Sequence, residues 1–196
     1  MLDPLGVAIH SVDLGKIRPG MIVGVFGCGP IGLLVLQVAR AAGATRLIAT
    51  DKLPHRLEAA RKMGATDVFQ STGGDENSEV LAAVNNRGVD VAFEAAGEND
   101  AVDTAIETVK PGGPVVLIGI PSGDWTTFNA STARRKGVTI KLCRRMKFTY
   151  PRAISLVESG LVDVRSLVTH RFSLEESKEA YITADRREGI KVVLEM

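Results

Sequence analysis

Two patterns of apolar positions alternate along this 196-residue chain. Short unbroken apolar runs recur at Met21–Phe26, Leu47–Ala49, Val89–Phe93, Val115–Ile120 and Val138–Leu142, with a weaker one at Val68–Phe69. Each lies between turn-forming residues, and a run without alternation suits a parallel strand covered on both faces. The stretches between them predict helices over Pro30–Ala42, Pro54–Met63, Glu76–Asn85 and Asp100–Val109. Pro30 and Pro54 stand at helix starts, where a missing N–H costs nothing. Gly43 and Gly64 stand just past helix ends, where left-handed geometry favours glycine. Lys110-Pro111-Gly112-Gly113 breaks the chain before the next strand. Strands alternating with helices of this length require right-handed crossovers, so the predicted fold is α/β, a doubly wound parallel sheet of about six strands with helices on both faces.

The ends depart from that rhythm. Residues 1–18 read as a leading helix (3–15) and linker, and residues 19–150 as the wound domain. The segment 151–196 is predicted to hold a helix at about 151–159, a strand at about 167–172, a helix at about 173–184 and a last strand at 190–195. Ser173 and Glu176 have capping-box spacing. This segment is expected not to extend the series and to belong to a second, incomplete domain.

Composition is that of an ordinary globular chain, with 45% hydrophobic residues, 24% charged residues and a net charge of +1. The basic clusters Arg134–Lys136 and Arg144–Lys147 lack interleaved aromatics, which argues against nucleic acid as a partner. Cys28 and Cys143 lie too far apart for zinc-ligand spacing or a disulfide framework. A reducing, cytoplasmic location is the expectation. The first residues lack the basic and apolar runs of a signal peptide, and no stretch of about 18 apolar residues is present to cross a membrane.

The chemistry concentrates at Gly27-Cys28-Gly29-Pro30-Ile31-Gly32, a G-x-G-x-x-G that follows a strand and opens a helix. Asp51 ends the next strand about 20 residues on, the spacing of the Rossmann dinucleotide fingerprint. Gly27 permits the tight turn, Gly29 lets backbone approach a pyrophosphate, and Gly32 lets helix pack on strand. The phosphates would meet free N–H groups and the positive end of the helix dipole. Two readings of Asp51 stand: an acceptor for the adenosine-ribose hydroxyls, or a cap for the helix near Pro54. As a ribose acceptor it would repel a 2′-phosphate by a few kcal/mol at most. NAD is therefore favoured, with NADP the lesser alternative because Lys52 and Arg56 soften the repulsion. Gly97, in Phe93–Gly97, and Gly119 with Ile120, in Ile118–Pro121, sit at ends of the fourth and fifth strands. They suit the nicotinamide side of a cofactor or serve as plain turns.

Taken in order, these residues resemble the medium-chain alcohol/polyol dehydrogenases, above all the sorbitol and threonine dehydrogenase branch. The markers run over essentially the whole chain: Asp3–His10, Pro19-Gly20, Gly27–Gly32, Ala49–Asp51, Gly64–Asp67, Lys110–Gly113 and Leu167–Phe172. The resemblance implies a zinc-assisted, NAD(P)-linked alcohol oxidation in which zinc polarises the alcohol oxygen. Carried over, Asp51 and Arg56 are adenosine-ribose contacts, Pro30 and Ile31 pyrophosphate contacts, and Gly119-Ile120 the backbone that holds the carboxamide. Arg145 is either an arginine reaching back to the cofactor or a solvated surface residue.

The family also implies an amino-terminal GroES-like catalytic domain, which carries the zinc ligands, ahead of the first residue of this sequence. Asp3 stands where the sorbitol-type branch usually has a zinc-side glutamate, and a helix-cap role is expected for it instead. His10, His55 and His170 have no ligand spacing, so no catalytic or metal-binding residue is assigned within the chain. The leading expectation is the NAD-binding part of a secondary-alcohol or polyol dehydrogenase, truncated and not turnover-competent alone. The alternatives are a catalytically silent NAD(H)-binding or redox-sensing subunit, and a methyltransferase, against which the Gly-Pro-Ile-Gly turn and the tail markers argue. Leu167, Val168, Phe172, Val192 and Leu194 are expected to be exposed for want of the missing domain. Homo-oligomerisation is expected through the edge strand Val138–Leu142.

Overall fold

A computed structural model describes residues 1–196. In chain order the elements are α1 (Leu2–Gly15), β1 (Ile22–Phe26), α2 (Pro30–Ala41), β2 (Arg46–Asp51), α3 (Pro54–Lys62), β3 (Asp67–Gln70), α4 (Glu76–Ala83) and β4 (Val91–Glu94). There follow α5 (Asn99–Thr108), β5 (Pro114–Leu117), α6 (Ala130–Lys136), β6 (Thr139–Leu142), α7 (Tyr150–Glu158), β7 (Val168–Ser173), α8 (Ser177–Asp185) and β8 (Lys191–Glu195). The first six strands form one parallel sheet in the order β3-β2-β1-β4-β5-β6. That is the Rossmann order, and the direction of strand addition reverses between β1 and β4.

Successive residues of a strand point to opposite faces, and here both faces are buried. Val25, Phe93 and Val116 join a cluster with Leu5 and Ile9 of α1 and Leu33–Leu36 of α2. Their neighbours Phe26, Ala92 and Val115 join a second cluster with Val80 of α4 and Ile106 of α5. The unbroken apolar runs reflect this double cover. Each fully buried Leu, Ile or Phe adds roughly 1.5–3 kcal/mol of transfer free energy.

Three features depart from the pattern read along the sequence. Helix α6 was not foreseen. Its residues are polar and only Ala133 is buried, so no amphipathic stripe betrays it. Its ends are set locally, by the Asn129 side chain accepting from the Thr132 N–H (3.0 Å) and by Gly137 at φ 61°. Strand β5 stops at Leu117 although the apolar run continues to Ile120, because Ile118 and Gly119 leave the ladder and donate to the Glu94 carbonyl (2.8 and 3.2 Å). Strands β7 and β8 pair in parallel with α8 between them, so the tail repeats the β–α–β arrangement in a separate two-stranded sheet.

The tail is also better covered than expected. Leu167 is 1% exposed and packs with Ala153, Val162 and Ile190 in the main core, because the chain turns inward just before β7. Val168, Phe172 and Val192 are half-buried, and Leu194 is exposed. Half of the capping box forms, as the Ser173 N–H donates to the Glu176 carboxylate (2.9 Å), while α8 itself begins at Ser177. Asp3 lies within the first turn of α1 and makes no side-chain capping bond, so its contribution is its charge at the positive end of the helix.

At the amino edge of the sheet, Asp90 joins three segments. Its buried carboxylate accepts from the Ile22 N–H (2.9 Å), from Lys110 (2.7 Å) and from Arg87 (2.5 Å). Burial works to raise its pKa, but the Ile22 N–H and the Lys110 and Arg87 charges outweigh it and hold the pKa below the usual carboxylate range. Asp90→Asn is expected to cost about 2 kcal/mol at neutral pH, measured by urea unfolding. With a folded pKa below the unfolded value near 3.9, the carboxylate contributes fully above about pH 4 and fades as pH falls through the folded pKa. The variant's deficit is therefore expected to shrink in acid, and a deficit constant with pH would contradict this account.

Candidate functional site

The glycine loop begins where β1 ends. Gly27 turns the chain at φ 103°, and a Cβ there would lie 2.8 Å from the Ala95–Ala96 backbone. A Cβ on Gly32 would overlap the Gly27 carbonyl oxygen, so a larger residue there would part α2 from the end of β1, and one at Gly27 would push the loop off the turn after β4. Gly29 is the N-cap of α2 and contributes no side-chain cap. The first-turn N–H groups of Ile31 and Gly32 are thus left for another acceptor. Pro30 gives up a donor the helix does not need there.

Asp51, at the end of β2, secures the loop. One carboxylate oxygen accepts from the Cys28 N–H (2.7 Å) and the other from the N–H of Leu53, the residue that caps α3 (2.9 Å). Of the two readings of Asp51, the bond to Leu53 gives it the ordering of the start of α3, and the residue also lines the cavity beside the loop. Each oxygen keeps lone-pair capacity for a further donor. Cys28 is fully buried behind it, and burial, followed by the Asp51 charge, pushes its thiol far above the ordinary range. Such a thiol is an inert filler.

The cavity encloses about 430 Å³, with Gly27, Gly29, Asp51 and Arg56 on its walls. Arg56, in the first turn of α3, extends over the loop, with Nη1 3.8 Å from where a Gly29 Cβ would be. Its Nε is buried without a partner, and no carboxylate lies within ion-pair reach. Lys52, by contrast, is held by Glu98 and by Asp100 (3.2 Å). An unpaired guanidinium and an uncapped helix start therefore converge on one spot, the requirement for a phosphate. Arg186 and Arg187, just past α8, complete the rim.

A second cavity, of about 280 Å³, lies over the ends of β4 and β5 and is bordered by Gly97, Gly119 and Ile120. Gly97 has φ 75°, and a Cβ on it would overlap the Ile120 carbonyl. A Cβ on Gly119 would overlap the Gly97 N–H. Two backbones thus meet in direct contact. Ile120 is 89% exposed, its backbone rather than its side chain facing the turn. Glu98 borders both cavities, so they adjoin along the carboxyl edge.

Of the residues singled out in the sequence, Gly27, Gly29, Pro30, Asp51 and Arg56 come together at the first cavity, and Gly97, Gly119 and Ile120 at the second. Ile31 and Gly32 follow in the first turn of α2. Arg145 does not join them: it is exposed just beyond β6, at φ 52°, and lines neither cavity. No three of the chain's His, Cys, Asp and Glu side chains converge on a point that could hold a metal ion. Sequence reasoning included Glu94 in the Phe93–Gly97 candidate without giving it a role, although an acid closing a doubly buried strand is itself a signal. It also missed Arg186 and Arg187, which only the fold returns to the glycine loop.

Comparison with known proteins agrees with this geometry. The profile of the family described as "Zinc-binding dehydrogenase" matches residues 30–159. The chain is 38% identical to the sorbitol dehydrogenase of Bacillus subtilis (strain 168) over 180 residues, covering 92% of this chain and 51% of that protein. The alcohol dehydrogenase TADH from Thermus sp. ATN1 superposes with a TM-score of 0.89 at 31% identity, covering 98% of this chain and 56% of that one. A zinc-binding dehydrogenase from Sinorhizobium meliloti 1021, solved bound to NADP, superposes with a TM-score of 0.88 at 30% identity, covering 98% and 57%. The chain belongs to the zinc-binding dehydrogenase family, and it spans about half the length of the curated relatives it matches.

Asp51→Asn replaces one acceptor oxygen by an NH₂, which faces either the Cys28 or the Leu53 N–H. A loss of about 1–2 kcal/mol is expected in urea unfolding, from the donor left unsatisfied. Unchanged stability would mean that these bonds do not hold the loop.

Proposed function

We propose that this chain is the cofactor-binding part of an oxidoreductase that transfers hydride from the CH–OH group of a secondary alcohol or polyol to NAD. The observation that carries the reading is the convergence of the uncapped α2 start, the unpaired Arg56 guanidinium and the Asp51 carboxylate on one cavity. An anion at the loop would satisfy the orphaned Arg56 and the free N–H groups together. A diol beside it would find acceptors on Asp51.

In this reading Gly27, Gly29 and Gly32 keep the loop clear of side chains, and Ile31 and Gly32 donate N–H bonds to the pyrophosphate beside Pro30. Arg56 adds a charge-assisted bond, and Asp51 accepts from the adenosine-ribose hydroxyls. Gly97, Gly119 and Ile120 carry the nicotinamide side. The bound dinucleotide supplies the hydride acceptor; the chain binds it, orients it and walls off one side. NAD is favoured over NADP because Asp51 faces the ribose while Glu98 and Asp100 neutralise Lys52, leaving Arg56 as the chief offset to repulsion of a 2′-phosphate.

Turnover belongs to a longer, cytoplasmic parent, whose remaining residues would supply zinc ligands and the substrate pocket. In that parent residues 151–196 complete the second domain, which would cover Leu161, Leu174, Tyr181 and Leu194, all exposed here. Self-association would run along β6. A second reading, a silent NAD(H)-binding or redox-sensing subunit, draws on the lack of a three-ligand metal cluster within the chain.

NADH titration of the chain in chelator-treated buffer tests the binding claim. Saturable binding is expected, and Arg56→Ala is expected to weaken it about tenfold with little change in Tm. Equal affinity in the variant would remove the phosphate assignment. Zinc-dependent alcohol oxidation by the parent would then separate the enzyme from the silent subunit.

A further inference from the structure

We infer that Glu94 is a positioning residue for the nicotinamide end of the cofactor, its buried side chain holding the turn after β4 against the turn after β5. The inference rests on the dinucleotide reading above and adds to it a residue that touches neither phosphate nor ribose.

Glu94 closes β4 and is 1% exposed. A carboxyl group so placed is costly unless its oxygens are bonded. No lysine or arginine is paired with it. Backbone answers instead: Oε1 accepts from the N–H groups of Ala96 (2.7 Å) and Gly97 (2.6 Å). Oε2 lies 2.7 Å from where a Gly119 Cβ would stand, so only glycine leaves room for it. The Glu94 backbone carbonyl meanwhile accepts from Ile118 and Gly119. One residue therefore grips both sides of the Gly97–Gly119 contact, with its side chain on the first turn and its carbonyl on the second. Burial pushes its pKa up despite these donors, which is the mark of a group kept where solvation alone would not place it.

The turn that Glu94 holds touches the first cavity through Ala95 and Ala96, while Gly97 and Gly119, the contact it grips from both sides, border the second alone. Asp51, on bonds of its own, and the unpaired Arg56 sit across β1 and share no hydrogen bond with Glu94. Loosening Glu94 should therefore fall chiefly on the floor under the nicotinamide, with the bonds of Asp51 kept.

The experiment compares NADH with ADP-ribose, which lacks the nicotinamide, on the whole chain and on Glu94→Ala and Glu94→Gln. Glu94→Ala is expected to weaken NADH about tenfold while ADP-ribose stays within about twofold, which also shows that the variant is folded. Glu94→Gln keeps one acceptor oxygen and the side-chain shape, and should fall between. Equal losses of both ligands in both variants, or no loss of either, would overturn the inference. Failure of the unaltered chain to bind either ligand would overturn the dinucleotide reading itself and this inference with it. Normal ADP-ribose binding with unchanged NADH affinity in the variants would overturn the role of Glu94 alone.

Discussion

A parallel sheet must end its strands somewhere, and each end leaves backbone N–H groups that cannot be buried unpaired. Four buried carboxylates, Asp51, Glu76, Asp90 and Glu94, meet that demand in this chain, Glu76 by accepting from Thr72 and Gly74 beyond β3, and the way the other three are balanced divides structure from function. Asp90, at the amino edge, accepts from Ile22 and is neutralised by Lys110 and Arg87. Asp51 and Glu94, at the carboxyl edge, accept from backbone N–H groups and pair with no cation. Arg56 can then stand over the glycine loop unpaired. Had Asp51 taken Arg56 as a partner, both charges would be spent within the fold and the cavity would have nothing to offer a phosphate. The edge proposed to carry the cofactor is thus the edge where internal charge pairing is left incomplete.

The glycines belong to the same arrangement. Gly27 with Gly32, and Gly97 with Gly119, are two places where backbone touches backbone because a Cβ would collide. One lies on each side of the reversal in strand order between β1 and β4. Asp51 fastens the first contact and Glu94 the second. The crevice is therefore built twice with the same means, a buried acid gripping a glycine turn, which suits a ligand made of two nucleotide halves.

Much of this was legible along the chain. Runs such as Val91–Phe93 and Val115–Leu117 announced strands because both faces are buried, and Pro30 and Pro54 marked their helices. The glycine spacing and Asp51 located the first half of the crevice because phosphate binding restricts residue type at fixed offsets. What escaped notice lacked such restriction. Helix α6 is polar but for Ala130 and Ala133 and is fixed by Asn129 and Gly137. Ile118 and Ile120 are apolar but lie beyond the sheet. Leu167 read as exposed because its neighbours in the core are brought there only by the fold of the tail. Arg186 and Arg187 share nothing in sequence with the loop they border. Asp51 reads as a ribose acceptor or a cap, whereas its bonds tie the start of α3 to the loop, a tie that no spacing in the sequence announces.

The most direct measurement of the central claim is the change in backbone amide shifts on adding NADH to the isotopically labelled chain. The account requires the largest changes at Gly29, Ile31, Gly32 and Leu53, and at Gly97, Gly119 and Ile120 across the crevice, with Ile22 and Val91 at the amino edge still. Shifts confined to the β7–β8 unit, or spread evenly with the glycine loop unmoved, would contradict it.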